Sequence, residues 1–164
     1  MEILGIVLAV LLLLTTLNST YFFLILSKVR FLEWIVFNAC APSSIVYLIG
    51  FVVYLFTSDR TLLYASVLPI FFYGGLGLFQ LPWRGVNLMA QIGHLIMVAN
   101  IVWALYGLFV LNDYQAATVG LLIGVVVFAP FISFQHAYSA AHPEVLQKIG
   151  AAPADPKEDA SAVG

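Results

Sequence analysis

Charged side chains are scarce in this 164-residue chain, which has six lysines and arginines and eight aspartates and glutamates. They make up 9% of the residues, whereas about 25% is usual in soluble domains, and 63% of the residues are hydrophobic. A soluble domain of this composition would have too few charges to cover its surface. The scarcity of charge therefore excludes an ordinary soluble protein and indicates a chain whose solvent is the lipid bilayer.

Cysteine and clustered basic residues are also lacking. The single cysteine, Cys40, cannot form an intrachain disulfide or a Cys-x-x-Cys redox pair, and its apolar surroundings are typical of a thiol that packs as a small hydrophobic group. The six basic residues are scattered and the formal net charge is -2, so we predict no binding of nucleic acid.

Catalytic patterns are missing from the apolar segments as well. No Asp, Glu, Lys or Arg lies deep within them, whereas ion-coupled transporters usually place such a group on the ion path. We find no phosphate-binding glycine loop, no His-Glu-x-x-His, no activated nucleophile and no paired carboxylates. The sequence therefore favours a protein that is not an enzyme, and it predicts no cofactor.

Five long runs free of charge lie between the charged residues: 3–27, 34–58, 61–83, 85–112 and 114–143. A helix of about 20 residues crosses about 30 Å of hydrocarbon and satisfies its own backbone hydrogen bonds there. The sequence therefore predicts an all-α integral membrane protein, a compact bundle of five transmembrane helices with short loops. The helices are predicted over about residues 3–27, 34–57, 62–82, 87–111 and 115–138.

Residues 1–140 are predicted to form the transmembrane domain. Residues 141–164 are rich in Ala, Pro and acidic residues and are predicted to form a disordered cytoplasmic tail.

The ends of the predicted helices differ in basic charge. Arg60 stands alone on one side of the bundle, and the other five basic residues fall on the opposite side: Lys28, Arg30, Arg84, Lys148 and Lys157. The positive-inside rule then predicts an outside N-terminus and a cytoplasmic C-terminus, in the plasma (inner) membrane.

Polar side chains inside the predicted helices are candidates for a site. They are Asn18, Asn38, Asn87, Gln91, His94, Ser133 and His136. The spacing of Asn87, Gln91 and His94 places them on one face of the fourth helix. These side chains are expected either to hydrogen-bond between helices or to line a polar pocket open to the cytoplasm. We expect His94 to be a neutral, buried hydrogen-bond partner, with Asn38 at comparable depth.

The two intramembrane histidines also suggest a redox cofactor. Imidazole is a common haem ligand, so His94 and His136 could hold haem b or contact a quinone. His94 is predicted roughly 10–15 Å into the bilayer, whereas His136 lies near the end of the fifth helix, and this difference in depth counts against haem. A zinc site lacks a third ligand.

Glycines predict where helix backbones approach one another. Gly74, Gly75 and Gly77 occur in the third helix, and Gly120 and Gly124 have G-x-x-x-G spacing in the fifth. Small residues of this kind allow close packing, within the bundle or with another chain. Internal prolines at residues 42, 69 and 130 predict bends in three of the helices.

These patterns leave three functions. The preferred one is a non-catalytic subunit, or an assembly or anchor component, of a larger membrane complex, whose partners are other membrane subunits or further copies of this chain. The second is a channel or facilitator for a neutral or weakly charged solute, lined by Asn18, Gln91 and His94. The third is a haem- or quinone-binding redox subunit that uses His94 and His136.

Overall fold

A computed structural model of the chain describes residues 2–80, 83 and 87–149. Over these residues the chain is helical and contains no strand. Its elements are α1 (Glu2–Tyr21) with a π-helical turn (Phe22–Leu26), α2 (Phe31–Phe37), α3 (Cys40–Thr57), α4 (Thr61–Ala65), α5 (Val67–Ile70), a second π-helical turn (Phe71–Gly75), α6 (Leu76–Gln80), α7 (Asn87–Leu111), α8 (Tyr114–Ala141) and α9 (Pro143–Lys148).

Five segments in the described part of the chain are long and apolar enough to cross a membrane: Glu2–Leu26, Cys40–Thr57, Thr61–Phe79, Asn87–Leu111 and Tyr114–Ala141. The prediction of an all-helical chain with five membrane-length helices is therefore confirmed. We refer to these segments as the first to fifth spans.

The second span starts later than predicted because the helix is interrupted at Asn38. The predicted helix over 34–57 is divided into α2 and α3, and Asn38 between them has φ -122° and ψ 48°. Pro42 has no N–H to donate to the carbonyl of residue 38. That carbonyl accepts from the Ala41 N–H at 2.9 Å instead. The proline thus starts a new helix rather than bending a continuous one.

Glu33 holds the start of α2. Its carboxylate accepts hydrogen bonds from the Arg30 backbone N–H and from the Arg30 Nε–H, each at 2.7 Å. Burial opposes ionisation of Glu33, but the hydrogen bonds and the charge of Arg30 outweigh it and leave the pKa of the carboxyl below its usual value. The charged form of Glu33 therefore stabilises this junction.

The third span lies between the other spans and is the least regular. Its α4 and α5 pack on α3 and α8, and its π-helical turn packs on α7, while α1 packs on α3 and α7. In the most apolar 18-residue stretch of each span, 44% of the residues are buried in the third span, against 22% in the first and 17% in the fifth. The first and fifth spans are therefore the outer helices of the bundle.

Gly120 and Gly124 bring α8 close to α4 within the chain. A Cβ atom at Gly124 would lie 2.5 Å from the Ala65 carbonyl oxygen, and one at Gly120 would lie 2.8 Å from the Tyr64 Cβ and would overlap the Thr61 carbonyl oxygen. The Ala65 carbonyl cannot accept an α-helical bond from Pro69, which has no N–H. Gly124 packs against this carbonyl, so the G-x-x-x-G face of α8 is used inside the bundle.

The segment after α8 corrects the prediction of a disordered tail over 141–164. Residues 143–148 form α9, and Val145 is 3% exposed in a cluster with Val29, Trp34 and Ala41. The Lys148 Nζ donates to the Lys28 carbonyl at 2.6 Å. Val145 and Ile149 lie one turn apart and give the segment an apolar face. Residues 150–164 lie outside the described residues.

Candidate functional site

A cluster of buried polar side chains lies where α7 meets α6. Gln91 is 0% exposed, and its Nε2 donates to the carbonyls of Gly77 at 3.2 Å and Leu78 at 3.4 Å. His94, one turn further along α7, is 7% exposed. A Cβ atom at Gly77 would overlap the His94 ring. Glycine at position 77 therefore allows the imidazole to lie directly on the backbone of α6.

The partner of His94 is Cys40, not Asn38. The His94 Nε2 lies 3.3 Å from the Cys40 Sγ at the start of α3. Asn38 instead donates from Nδ2 to the Ser19 hydroxyl at 2.9 Å, which joins the α2–α3 junction to α1. The His94 Nδ1 is buried and has no hydrogen-bond partner among the described residues. A neutral imidazole and a thiol form a weak pair whose donor depends on the histidine tautomer.

Sequence reasoning missed Asn100, which is 0% exposed in the middle of α7. Its Nδ2 donates to the carbonyls of Leu8 at 3.1 Å and Ile96 at 2.9 Å, and its backbone carbonyl accepts from the Tyr47 hydroxyl at 3.1 Å. Asn100 therefore links α7 to α1 and α3. An amide in the centre of an apolar run was the signal available in the sequence.

A buried arginine lies at the opposite end of the bundle. Arg60 is 4% exposed, and its Nη2 donates to the Tyr54 hydroxyl at 2.8 Å. Its guanidinium carbon is 4.3 Å from the centre of the Tyr54 ring and 5.9 Å from that of Trp103. Burial lowers the pKa of Arg60, but the hydroxyls of Tyr54 and Tyr64 outweigh it and raise the pKa. Sequence reasoning used Arg60 only as a marker of topology.

Apolar side chains separate the Arg60 end from the His94 end. On α7, Ile101, Trp103 and Ala104 follow Asn100 and are 2%, 5% and 1% exposed. Phe51 lies between Tyr47 and Tyr54 on α3, and its ring centre is 5.4 Å from that of Trp103. A packed hydrophobic layer therefore fills the bundle between its two polar regions.

The fifth span is tied to the bundle by Gln135, another residue that sequence reasoning missed. Its Oε1 accepts from the Tyr73 hydroxyl at 2.5 Å, and its Nε2 donates to the Val36 carbonyl at 2.7 Å. These bonds connect α8 to the third span and to α2.

An apolar cavity of about 270 Å³ lies between α3, α5 and α8, and its lining includes Pro42 and Pro69.

The structure does not bring His94 and His136 together. His136 is exposed on α8, which packs on α2, α4 and α5, whereas His94 is buried on α7. Ser133 is also exposed on α8, and its hydroxyl donates to the Ala129 carbonyl at 3.3 Å. Asn87 is partly exposed at the first residue of α7. His94 and His136 therefore lie on different helices and in different surroundings.

The remaining candidates divide into buried and exposed positions. Gly74 packs on α7, because a Cβ there would lie 2.9 Å from the Met97 Cβ, whereas a Cβ at Gly75 would have only the Phe71 ring nearby, at 4.0 Å. Asn18 is exposed on α1 and has no hydrogen-bond partner among the described residues. The described residues therefore leave this amide unpaired.

Comparison with known proteins gives no relative. No protein family, curated protein or solved structure matches this chain significantly. The function is therefore inferred from the side chains and surfaces of the chain itself.

Proposed function

We propose that this protein is a non-catalytic membrane subunit that associates with another membrane protein through α1. The supporting observation is the exposure of Asn18 on this helix. Asn18 lies eight residues before Leu26, the end of the first span, which places it about 12 Å inside the span. At that depth neither water nor the lipid chains readily supply a hydrogen-bond partner.

The other amides of the spans show why Asn18 is exceptional. Asn100 and Gln91 are buried and donate to backbone carbonyls of neighbouring helices. Asn87 begins α7, where the membrane interface can supply water. An amide that faces hydrocarbon without a partner is costly, whereas a hydrogen bond between helices is worth roughly 0.6–2 kcal/mol. A second membrane protein on α1 would supply the missing partner.

The same chain offers a matched control. Thr118 is exposed on α8, and its hydroxyl donates to the Tyr114 carbonyl of its own helix at 2.8 Å. Thr118 therefore needs no partner from another protein. Wild type, Asn18→Leu and Thr118→Val should be purified in mild detergent and compared by native mass spectrometry.

We expect wild type and Thr118→Val to form a complex larger than the 18.0 kDa chain to the same extent, and Asn18→Leu to form less of it at equal protein concentration. A wild-type protein that is monomeric in mild detergent and in native nanodiscs would refute the proposal. A complex as abundant in Asn18→Leu as in wild type would also refute the role of α1.

The orientation is part of the proposal. Five basic residues on one side of the bundle and Arg60 on the other support an outside N-terminus and a cytoplasmic C-terminus in the plasma (inner) membrane. A reporter fused after Gly164 should be cytoplasmic, and a reporter inserted at Asp113 should be external. The opposite result at both sites would reverse the orientation.

The alternative functions receive unequal support. The packed layer of Phe51, Ile101 and Trp103 does not favour a path for solutes through the bundle. One observation favours a quinone-binding redox subunit, because the buried Nδ1 of His94 could donate to a quinone carbonyl. Quinone that co-purifies with wild type and is lost from His94→Leu would make this the better function.

A further inference from the structure

We infer that the partner of α1 is a second copy of this chain, paired through parallel α1 helices. The inference rests on the proposed function, since it names the partner for the same surface. Most of α1 is exposed, and the exposed stripe that contains Asn18, which we call the α1 stripe, has spacings of four and three residues: Val7, Leu11, Leu14, Asn18 and Tyr21. The opposite face, which includes Leu12 and Thr16, is buried in the bundle.

The α1 stripe has the spacing of a coiled-coil seam. Alternating steps of four and three residues place Leu11 and Asn18 at a positions, and Val7, Leu14 and Tyr21 at d positions. A single Asn among apolar a and d residues sets the register and the number of helices in such a pair. The apolar residues of the α1 stripe can therefore pack against a second helix, and Asn18 can fix the register of the pair.

The chemistry of Asn18 favours an identical partner. A side-chain amide carries both a donor and an acceptor, so two such amides can satisfy each other. Two copies inserted in the same direction are related by a twofold axis along the membrane normal, which makes their α1 helices parallel. Each Asn18 then meets the other at the same depth.

The G-x-x-x-G face of α8 and the small residue Gly5 of α1 already pack within the chain. Gly120 and Gly124 pack on α4, and a Cβ atom at Gly5 would overlap the Trp103 ring. These positions are therefore not free to contact a second chain. The α1 stripe, in contrast, is exposed and carries an amide without a partner among the described residues.

Disulfide trapping in native membranes tests the inference. Leu14 lies in the α1 stripe, whereas Leu13 is 43% exposed but lies about 100° away around the helix. Leu14→Cys should form a dimer of this chain on mild oxidation. Leu13→Cys and wild type, which carries only Cys40, should remain monomeric under the same treatment.

The dissociation constant of the dimer in detergent gives a second measurement. Loss of the amide in Asn18→Leu should raise it about 3- to 30-fold, the range that corresponds to one interhelical hydrogen bond. Asn18→Gln, which keeps an amide, should stay close to wild type, and Thr118→Val should not change it.

The outcomes separate the two proposals. A dimer trapped at position 14 and weakened by Asn18→Leu supports both. If Asn18→Leu releases a different protein and Leu14→Cys gives no dimer, the proposed function stands and the second-copy inference is overturned. Equal trapping at positions 13 and 14 also overturns the inference. A monomeric wild type unaffected by Asn18→Leu overturns both proposals.

Discussion

Replacing Gly124 with alanine tests whether the contact between α8 and α4 holds the fifth span in place. The added Cβ would lie 2.5 Å from the Ala65 carbonyl oxygen, whereas ordinary van der Waals contacts begin at about 3.4 Å. The obstacle is backbone, which cannot rotate away as a flexible side chain can. The helices must therefore separate by roughly 1 Å or shift along one another.

The expected cost follows from two opposing effects. Overpacking of a well-packed interior costs typically about 1–3 kcal/mol. Alanine favours a helix over glycine by roughly 0.5–1 kcal/mol, which offsets part of this cost. We expect Gly124→Ala to lower the free energy of unfolding by about 1–2 kcal/mol, and Gly120→Ala, which meets the same helix, to do the same.

Thermal and denaturant unfolding in one detergent measures this effect. Gly93→Ala is the matched control, because its Cβ would lie 3.8 Å from the Thr15 Cβ, an ordinary contact. The control should match or slightly exceed wild type, and Gly124→Ala should melt a few degrees lower, at about 2–4 °C per kcal/mol. If Gly124→Ala were as stable as Gly93→Ala, the close contact between α8 and α4 would be refuted.

Three further predictions concern the polar groups. The pKa of Glu33 is lowered in the folded protein, so its carboxylate stabilises the fold at pH values above the usual carboxyl pKa. This stabilisation is lost as pH falls through the lowered pKa. In Glu33→Gln, the free energy of unfolding should depend less on pH in this range. Tyr54→Phe removes the acceptor of the buried Arg60 and should cost about 1–3 kcal/mol on chemical unfolding. Asn100→Leu removes the Nδ2 hydrogen bond to α1 and should cost roughly 0.6–2 kcal/mol, more than His94→Leu, which removes only a thiol contact.

Each of these predictions has a contradicting result. A pH profile unchanged by Glu33→Gln would mean that the carboxylate does not stabilise the α2 junction. A Tyr54→Phe variant as stable as wild type would mean that Arg60 finds another acceptor. A larger loss in His94→Leu than in Asn100→Leu would show that His94 has a role beyond its contact with Cys40.

The helices themselves could be read from the sequence. In hydrocarbon each helix satisfies its backbone hydrogen bonds within its own segment, so the length of an apolar run between charges is enough to indicate a span. The same local reasoning identified the G-x-x-x-G face of α8. It also placed Gln91 and His94 on one face of α7, where both are buried.

Which helices meet, and which side chains pair, was decided only by the tertiary structure. His94 pairs with Cys40 rather than Asn38, and α8 packs on the third span, which leaves His136 outside the bundle. Val145 orders part of a segment whose composition indicated disorder. Such pairings depend on the rotation and depth of several helices at once, and spacing along one helix does not contain that information. For Asn18, the sequence indicated that an amide inside a span requires a partner, and the fold showed that the described residues do not supply one.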